Sequence, residues 1–434
     1  MKKKKSLKLH CRSAAIVVVV VVQAGKVVET SAAAAAAVQQ PIDCPGQMSR
    51  NLLLAALAAA LLPAASLAAT LTLTSLSSAP DARCNDGTPA AYYWQAGANS
   101  SSLWLIFLES GGWCYDQTSC SKRSPDQTSS KNYPATYDLS GIFASDDARL
   151  ADANLVYLPY CTSDAYVGDR DGPIWAAAAD NSVFQGGFHG AAVVAAVLDS
   201  LLQSRGLGDA AGTTEVLFSG FSAGGRGAMF NCDRSLARLS AAVPRLHAGC
   251  FFDSALWLDV EPYAAGGNSA AARSTAAYDL FNASATVAAN SPACAAAYPG
   301  AEGWKCIFGS YALPYVQTKQ WFLNTNLYDS YQLNTLNGLP NGPPWTGAKR
   351  TYAEDFRSLM EATIAREVAP GDDSVGAFAA ACYAHGDTLS AKFTSVQVGG
   401  VSLQDVLLSW FYGDASAPRI SVDGEAGGNG NPTC

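Results

Sequence analysis

Ser222 sits in the run Gly220-Phe221-Ser222-Ala223-Gly224-Gly225. A strand-compatible run, Glu215-Val216-Leu217-Phe218, precedes it and a helix-compatible stretch, 226–232, follows it. A Gly-x-Ser-x-Gly turn between a strand and a helix holds its serine on a sharp, strained bend, with the hydroxyl projecting from the sheet edge. Side chains at Gly220 and Gly224 would clash in such a turn. The helix that follows points N–H groups and the positive end of its dipole at a developing oxyanion. This arrangement predicts a serine nucleophile for acyl transfer. A plain Gly/Ser-rich turn is the competing reading, and the flanking strand and helix weigh against it.

A nucleophilic serine needs a base, and the base needs a carboxylate that orients it. The chain has four histidines. His10 lies in the leader, and His189 precedes the serine, whereas hydrolases with this turn run serine, acid, histidine along the chain. His247 follows Ser222 by only 25 residues. His385 comes late, in Cys382-Tyr383-Ala384-His385-Gly386-Asp387, where Cys382 can anchor the loop and Gly386 can turn it. His385 is the expected base, with His189 and His247 as alternatives. Asp329, after the apolar run 321–323, is the expected acid. Asp253 and Asp259 are its rivals, and Asp253 suits a supporting role at the end of a strand beside the nucleophile strand. The small-residue turn Glu109-Ser110-Gly111-Gly112-Trp113-Cys114 follows the apolar run 103–108. The N–H groups of Gly112, Trp113 and Ala223 are the expected oxyanion donors, each contributing about 3 kcal/mol in the transition state. Taken alone, that turn would read as an ordinary Gly-Gly bend.

These residues need a frame. Runs 103–108, 155–158, 215–218 and 321–323 read as buried strands. Residues 190–204 place Val193, Val194, Val197, Leu198, Leu201 and Leu202 on one helical face that ends at Gly206. Strand–helix alternation predicts an α/β fold of the α/β-hydrolase type, with a mainly parallel central sheet flanked by helices. Residues 262–312 read as a helical insertion, 338–347 as a surface loop, and the tail after Gly413 as irregular.

Charged residues make up only 15% of the 434 residues, against 49% hydrophobic. This excludes a disordered chain and a nucleic-acid partner, as does the net charge of −8. The acidic balance also counts against a polyanionic substrate unless the charges lie away from the cleft. Twelve cysteines occur, ten of them between Cys84 and Cys434, which predicts five disulfides and an oxidising compartment. Cys114/Cys120, Cys294/Cys306 and Cys382/Cys434 are natural pairs. No metal-ligand spacing appears, so neither a metal nor a cofactor is expected.

Residues 1–47 read as a surplus or cytoplasmic leader. Residues 48–69, with a basic start, an apolar run and small residues near Ala68, read as a signal peptide, or as a membrane anchor if uncleaved. Residues 80–434 are then a single catalytic domain, disulfide-stabilised, secreted and monomeric. Two sequons, Asn99-Ser100-Ser101 and Asn282-Ala283-Ser284, suit a glycoprotein.

Six blocks in order resemble the pectin acetylesterase family, which includes the animal carboxylesterase Notum. They are residues 109–114, Pro159-Tyr160-Cys161-Thr162-Ser163-Asp164, 220–225, Asp253-Ser254 with Leu258-Asp259, Tyr328-Asp329-Ser330-Tyr331-Gln332, and Cys382-Tyr383-Ala384-His385. The resemblance covers residues 84–412. It implies a Ser222–Asp329–His385 triad, an acetylated cell-wall polysaccharide such as pectin as substrate, secretion, disulfides and no metal. Ser110 departs from the glycine of plant members. The block at 159–164 is closer to the Notum branch and that at 328–332 to the plant branch, so deacylation of a lipid-modified protein is the alternative activity. A non-catalytic wall-binding protein is a third.

Overall fold

Six consecutive buried residues, Leu103–Leu108, can only be a strand covered on both faces, and they lie near the middle of a ten-stranded sheet. The structure is a computed structural model. It describes residues 68–175, 184–264, 269–368, 372–424 and 430–434, and a short antiparallel pair, Val22–Gln23 with Lys26–Val27. The chain divides into two units, Met1–Ala65 and Ser66–Cys434, and the sheet belongs to the second. Apart from that pair, the leader and nearly all of the segment 48–69 lie outside the described residues.

The strands are β1 (Ala69–Ser75), β2 (Ala91–Gln95), β3 (Leu103–Leu108), β4 (Thr136–Leu139), β5 (Asn154–Leu158), β6 (Thr214–Phe221), β7 (Leu246–Asp253), β8 (Trp321–Asn326), β9 (Val375–Ala380) and β10 (Ile420–Val422). Their order across the sheet is β10-β9-β8-β7-β6-β3-β5-β2-β1-β4. Every pair from β10 to β5 is parallel, and β2, β1 and β4 close one side in antiparallel fashion. The fold is a disulfide-stabilised α/β-hydrolase type, as the strand–helix alternation predicts.

Helix α1 (Gly190–Ser204) buries Val193, Val194, Val197, Leu198 and Leu201 of the face that the sequence marks as apolar, and leaves Leu202 half-buried at its edge. Helix α2 (Ala223–Ala242) runs from the Ser222 turn and is far longer than the stretch 226–232 suggests. The insertion holds α3 (Ala270–Leu280), α4 (Ala283–Asn290) and α5 (Pro292–Ala297). Helix α6 (Gly347–Glu367) joins β8 to β9, and α7 (Leu403–Tyr412) precedes β10. Two expectations need correction. The sheet begins at Ala69, not after residue 80, because Leu71 alternates inward and the strand pairs on both edges, with β2 and β4. The tail is not wholly irregular, since Ile420–Val422 adds a parallel edge strand to β9.

Five disulfides are present among the described residues, as the ten cysteines from Cys84 to Cys434 predict. Cys114–Cys120, Cys294–Cys306 and Cys382–Cys434 follow the expected pairing. Cys84–Cys161 and Cys232–Cys250 complete the set, the latter tying α2 to β7.

Candidate active site

The C-terminal ends of parallel strands gather loops at one edge of an α/β sheet, and this is where such folds build their sites. The turn after β3 carries Gly112 and Trp113, that after β6 carries Ser222, and the segments after β8 and β9 carry Asp329 and His385. Four segments remote along the chain thereby meet.

Ser222 has φ 55° and ψ −112°, a conformation that costs a non-glycine residue energy and that its surroundings must enforce. The Ser222 N–H donates to the Asp253 carbonyl at 2.8 Å. A Cβ on Gly220 would stand 2.3 Å from the Gly224 carbonyl oxygen, and one on Gly224 would stand 2.0 Å from that of Leu108. Those gaps admit no side chain, so both glycines are required by close backbone approach.

His385 Nε2 lies 2.7 Å from Ser222 Oγ, and His385 Nδ1 lies 2.9 and 3.0 Å from the two Asp329 carboxylate oxygens. A carboxylate only accepts, so Nδ1 carries the proton and Nε2 accepts from the serine hydroxyl. Asp329 is fully buried and its Oδ1 also accepts from the Gln332 N–H at 2.9 Å. Burial presses the His385 pKa down, but the Asp329 charge and hydrogen bond, with Asp253 and Asp387 beyond, outweigh it and leave the imidazole above its ordinary value. The ring stacks on Tyr331, with centroids 5.0 Å apart, and tilts against Phe221.

Beneath His385 lies a polar network. Asp253 Oδ2 accepts from the N–H groups of Asp387 and Thr388 at 3.2 and 3.1 Å and from the Thr388 hydroxyl. Its Oδ1 accepts from Asn324 Nδ2 at 2.7 Å and from Ser254 Oγ at 3.0 Å. Ser254 Oγ in turn accepts from the Gly386 N–H at 3.0 Å. Asp253 therefore anchors the loop that carries the histidine, the supporting role its strand position suggests. Burial, and then the Asp253 charge, push the Asp387 carboxyl up to about 6.

The amides of Gly112, Trp113 and Ala223 make no backbone hydrogen bond among the described residues. Gly112 has φ 67°, a left-handed conformation that favours glycine. The Gly111 carbonyl, on the same peptide unit as the Gly112 N–H, accepts from Arg123 Nη1 at 2.5 Å and Gln127 Nε2 at 3.3 Å. Trp113 packs edge-on to Trp257 and Phe281, at 5.7 and 5.8 Å. The fully buried Arg226 guanidinium is wedged between Trp113 and Trp257, 3.5 and 3.9 Å from their rings, and donates to the Ile307 carbonyl at 2.6 Å. Burial lowers its pKa to about 9, so it is still charged at neutral pH.

The alternative residues lie in other surroundings. His189 Nε2 is 2.7 Å from the Gly186 carbonyl, and His247 Nε2 is 2.8 Å from that of Phe411. Asp259 accepts from the Tyr311 hydroxyl at 2.8 Å. Sequence reasoning missed Arg123, Gln127, Arg226 and Asn324. Arg226 lies one turn along the helix from Ser222, which was a usable signal, whereas nothing local marks the other three. Among the described residues no cluster of three or more His, Cys, Asp or Glu could hold a metal.

A sequence model of the pectinacetylesterase family matches residues 63–434. Human palmitoleoyl-protein carboxylesterase NOTUM is 29% identical over 344 residues, covering 75% of this chain and 63% of that protein. The chain thus spans less than two thirds of that relative's length. Pectin acetylesterase 7 from Arabidopsis thaliana is 26% identical over 385 residues, covering 82% of this chain and 90% of that protein. A crystal structure of the Wnt deacylase Notum from Drosophila superposes with a TM-score of 0.72 at 26% identity, covering 84% of this chain and 99% of that one.

Proposed function

The chain belongs to the pectinacetylesterase family, and we propose from that premise that it is a secreted carboxylic ester hydrolase that removes acetyl groups from pectin. The observation that carries the reading is the hydrogen-bonded line Asp329–His385–Ser222 beside the unbonded amides of the Gly112 turn.

Ser222 Oγ attacks the acetyl carbonyl while His385 Nε2 takes its proton. The carbonyl oxygen becomes an oxyanion, held by the N–H groups of Gly112, Trp113 and Ala223. The bond to the sugar oxygen breaks, and His385 returns the proton to that oxygen. Water, deprotonated by His385, then attacks the acetyl-serine, releasing acetate and restoring the Ser222 hydroxyl.

Two observations favour an acetylated uronate polymer. Trp257 packs on both Trp113 and Tyr331, at 5.7 and 6.0 Å, and rings this close beside the oxyanion turn suit a small acyl group. Arg273 and Arg123, both half-buried, act electrostatically on the Tyr331 hydroxyl, whose ring stacks on His385. A chain of net charge −8 therefore presents positive charge where it would meet an anionic sugar chain. Five disulfides suit an oxidising, extracellular setting.

The test is acetate release from acetylated pectin, xylan and mannan, with Ser222→Ala as control. Pectin should be the best substrate, and Ser222→Ala should lose at least about 10³-fold in turnover while keeping its fold. Retention of a tenth of the activity would refute the nucleophile assignment. Deacylation of a lipid-modified protein is the second reading, favoured by the 29% identity to human NOTUM. A sharp preference for aryl esters of about eight carbons or more over acetate would select it.

A further inference from the structure

We infer that Arg123 is the positioning residue of the oxyanion site, acting through the Gly111–Gly112 peptide; this rests on the esterase reading above. A trans peptide unit is planar, and its C=O and N–H point in opposite directions. Whatever holds the Gly111 carbonyl therefore aims the Gly112 N–H the other way. Arg123 Nη1 donates to that carbonyl at 2.5 Å, with Gln127 Nε2 as a second donor at 3.3 Å. Without these donors the peptide could turn over, and the carbonyl oxygen would repel the oxyanion that the N–H is there to receive.

The guanidinium is itself held. Arg123 Nε donates to Ser163 Oγ at 3.0 Å, whose hydroxyl donates to the Gln127 carbonyl at 3.0 Å. The Arg123 plane lies over the Tyr160 ring, 5.4 Å from its centroid. Its backbone N–H donates to the carbonyl of Cys120, which is disulfide-bonded to Cys114 two residues past Gly112. The Ser163 carbonyl accepts from the Cys114 N–H at 3.1 Å, so both ends of the frame close on one loop. Arg123 Nη1 also stands 3.9 Å from where a Gly112 Cβ would be, which puts a fixed positive charge beside the donor. The guanidinium makes two directed bonds at once, and a lysine ammonium, a point charge on a flexible stem, cannot reproduce both.

The experiment compares wild type with Arg123→Ala and Arg123→Lys on p-nitrophenyl acetate, and measures inhibition by a phenylboronic acid that forms a tetrahedral adduct on the serine. Loss of one oxyanion donor costs about 10²–10³-fold in kcat, so Arg123→Ala should fall by about 10²-fold, with Arg123→Lys between it and wild type. KM should stay within about threefold, and boronate affinity should fall in step with kcat, because the interaction forms with the tetrahedral state. The acid limb of the pH profile should not move, since His385 and Asp329 are untouched. An Arg123→Ala enzyme that keeps kcat or boronate affinity within about threefold overturns the inference, as does a loss confined to KM. If Arg123→Ala does not fold, Ser163→Ala decides: it keeps the guanidinium but removes its Nε partner, and unchanged kcat and boronate affinity overturn the inference. Ser222→Ala run alongside separates the two failures, because an active Ser222→Ala enzyme sinks the esterase reading whatever Arg123 does.

Discussion

A base must be neutral to take a proton, so in the proposed reaction the state of His385 sets the lower pH limit of turnover. Burial disfavours the imidazolium, but the Asp329 carboxylate at 2.9 Å favours it more strongly. The pKa of the free enzyme's base, which kcat/KM reports, therefore lies above the usual histidine value of about 6.5. Activity is lost as pH falls through that raised value, and is complete above it. Asp329→Asn removes the charge that does the raising and allows the wrong tautomer. Its limb should move to lower pH, and kcat should fall on the order of 10⁴-fold. A rate profile on p-nitrophenyl acetate checks both, and an unmoved limb would show that Asp329 does not set the imidazole's pKa.

Elements act on this site through the loop after β9. Its amides at Gly386, Asp387 and Thr388 all end on the Asp253–Ser254 pair at the end of β7. The Asp253→Ala enzyme leaves the buried Asp387 and Thr388 amides unpaired, at roughly 1–3 kcal/mol each. It should unfold at lower urea concentration than wild type and also lose kcat, because His385 is no longer held at hydrogen-bond distance from Ser222. A variant with wild-type urea midpoint would contradict the anchoring role. The same logic explains why the nucleophile turn was legible: Gly220 and Gly224 are needed by contacts within a few residues or with the next strand, so their spacing survives as a pattern.

Over the whole molecule, cross-links tie the loops to the sheet. Cys382–Cys434 closes a 52-residue separation three residues from His385, and Cys232–Cys250 fastens α2 to β7. Closing long loops restricts the unfolded chain, at typically about 2–4 kcal/mol per bridge. The double variant Cys382→Ser/Cys434→Ser should therefore have a lower Tm in a calorimetric scan, by roughly 2–4 °C for each kcal/mol lost. An unchanged Tm would mean that the tail is held by other contacts.

Local stereochemistry fixed what could be known in advance: the glycine-flanked serine, the late histidine, the buried strands 103–108 and 215–218, most of the α1 face and three short-range or terminal disulfides each leave a mark in the residue pattern. The order of strands, the edge strands β1 and β10, the pairing of Cys84 with Cys161, and the approach of Arg123 to the Gly111 carbonyl leave none. They depend on which surfaces meet after collapse. A hydrogen bond or disulfide between remote segments imposes only a residue type at each end, and a polar or sulfur-bearing residue by itself does not say what will face it.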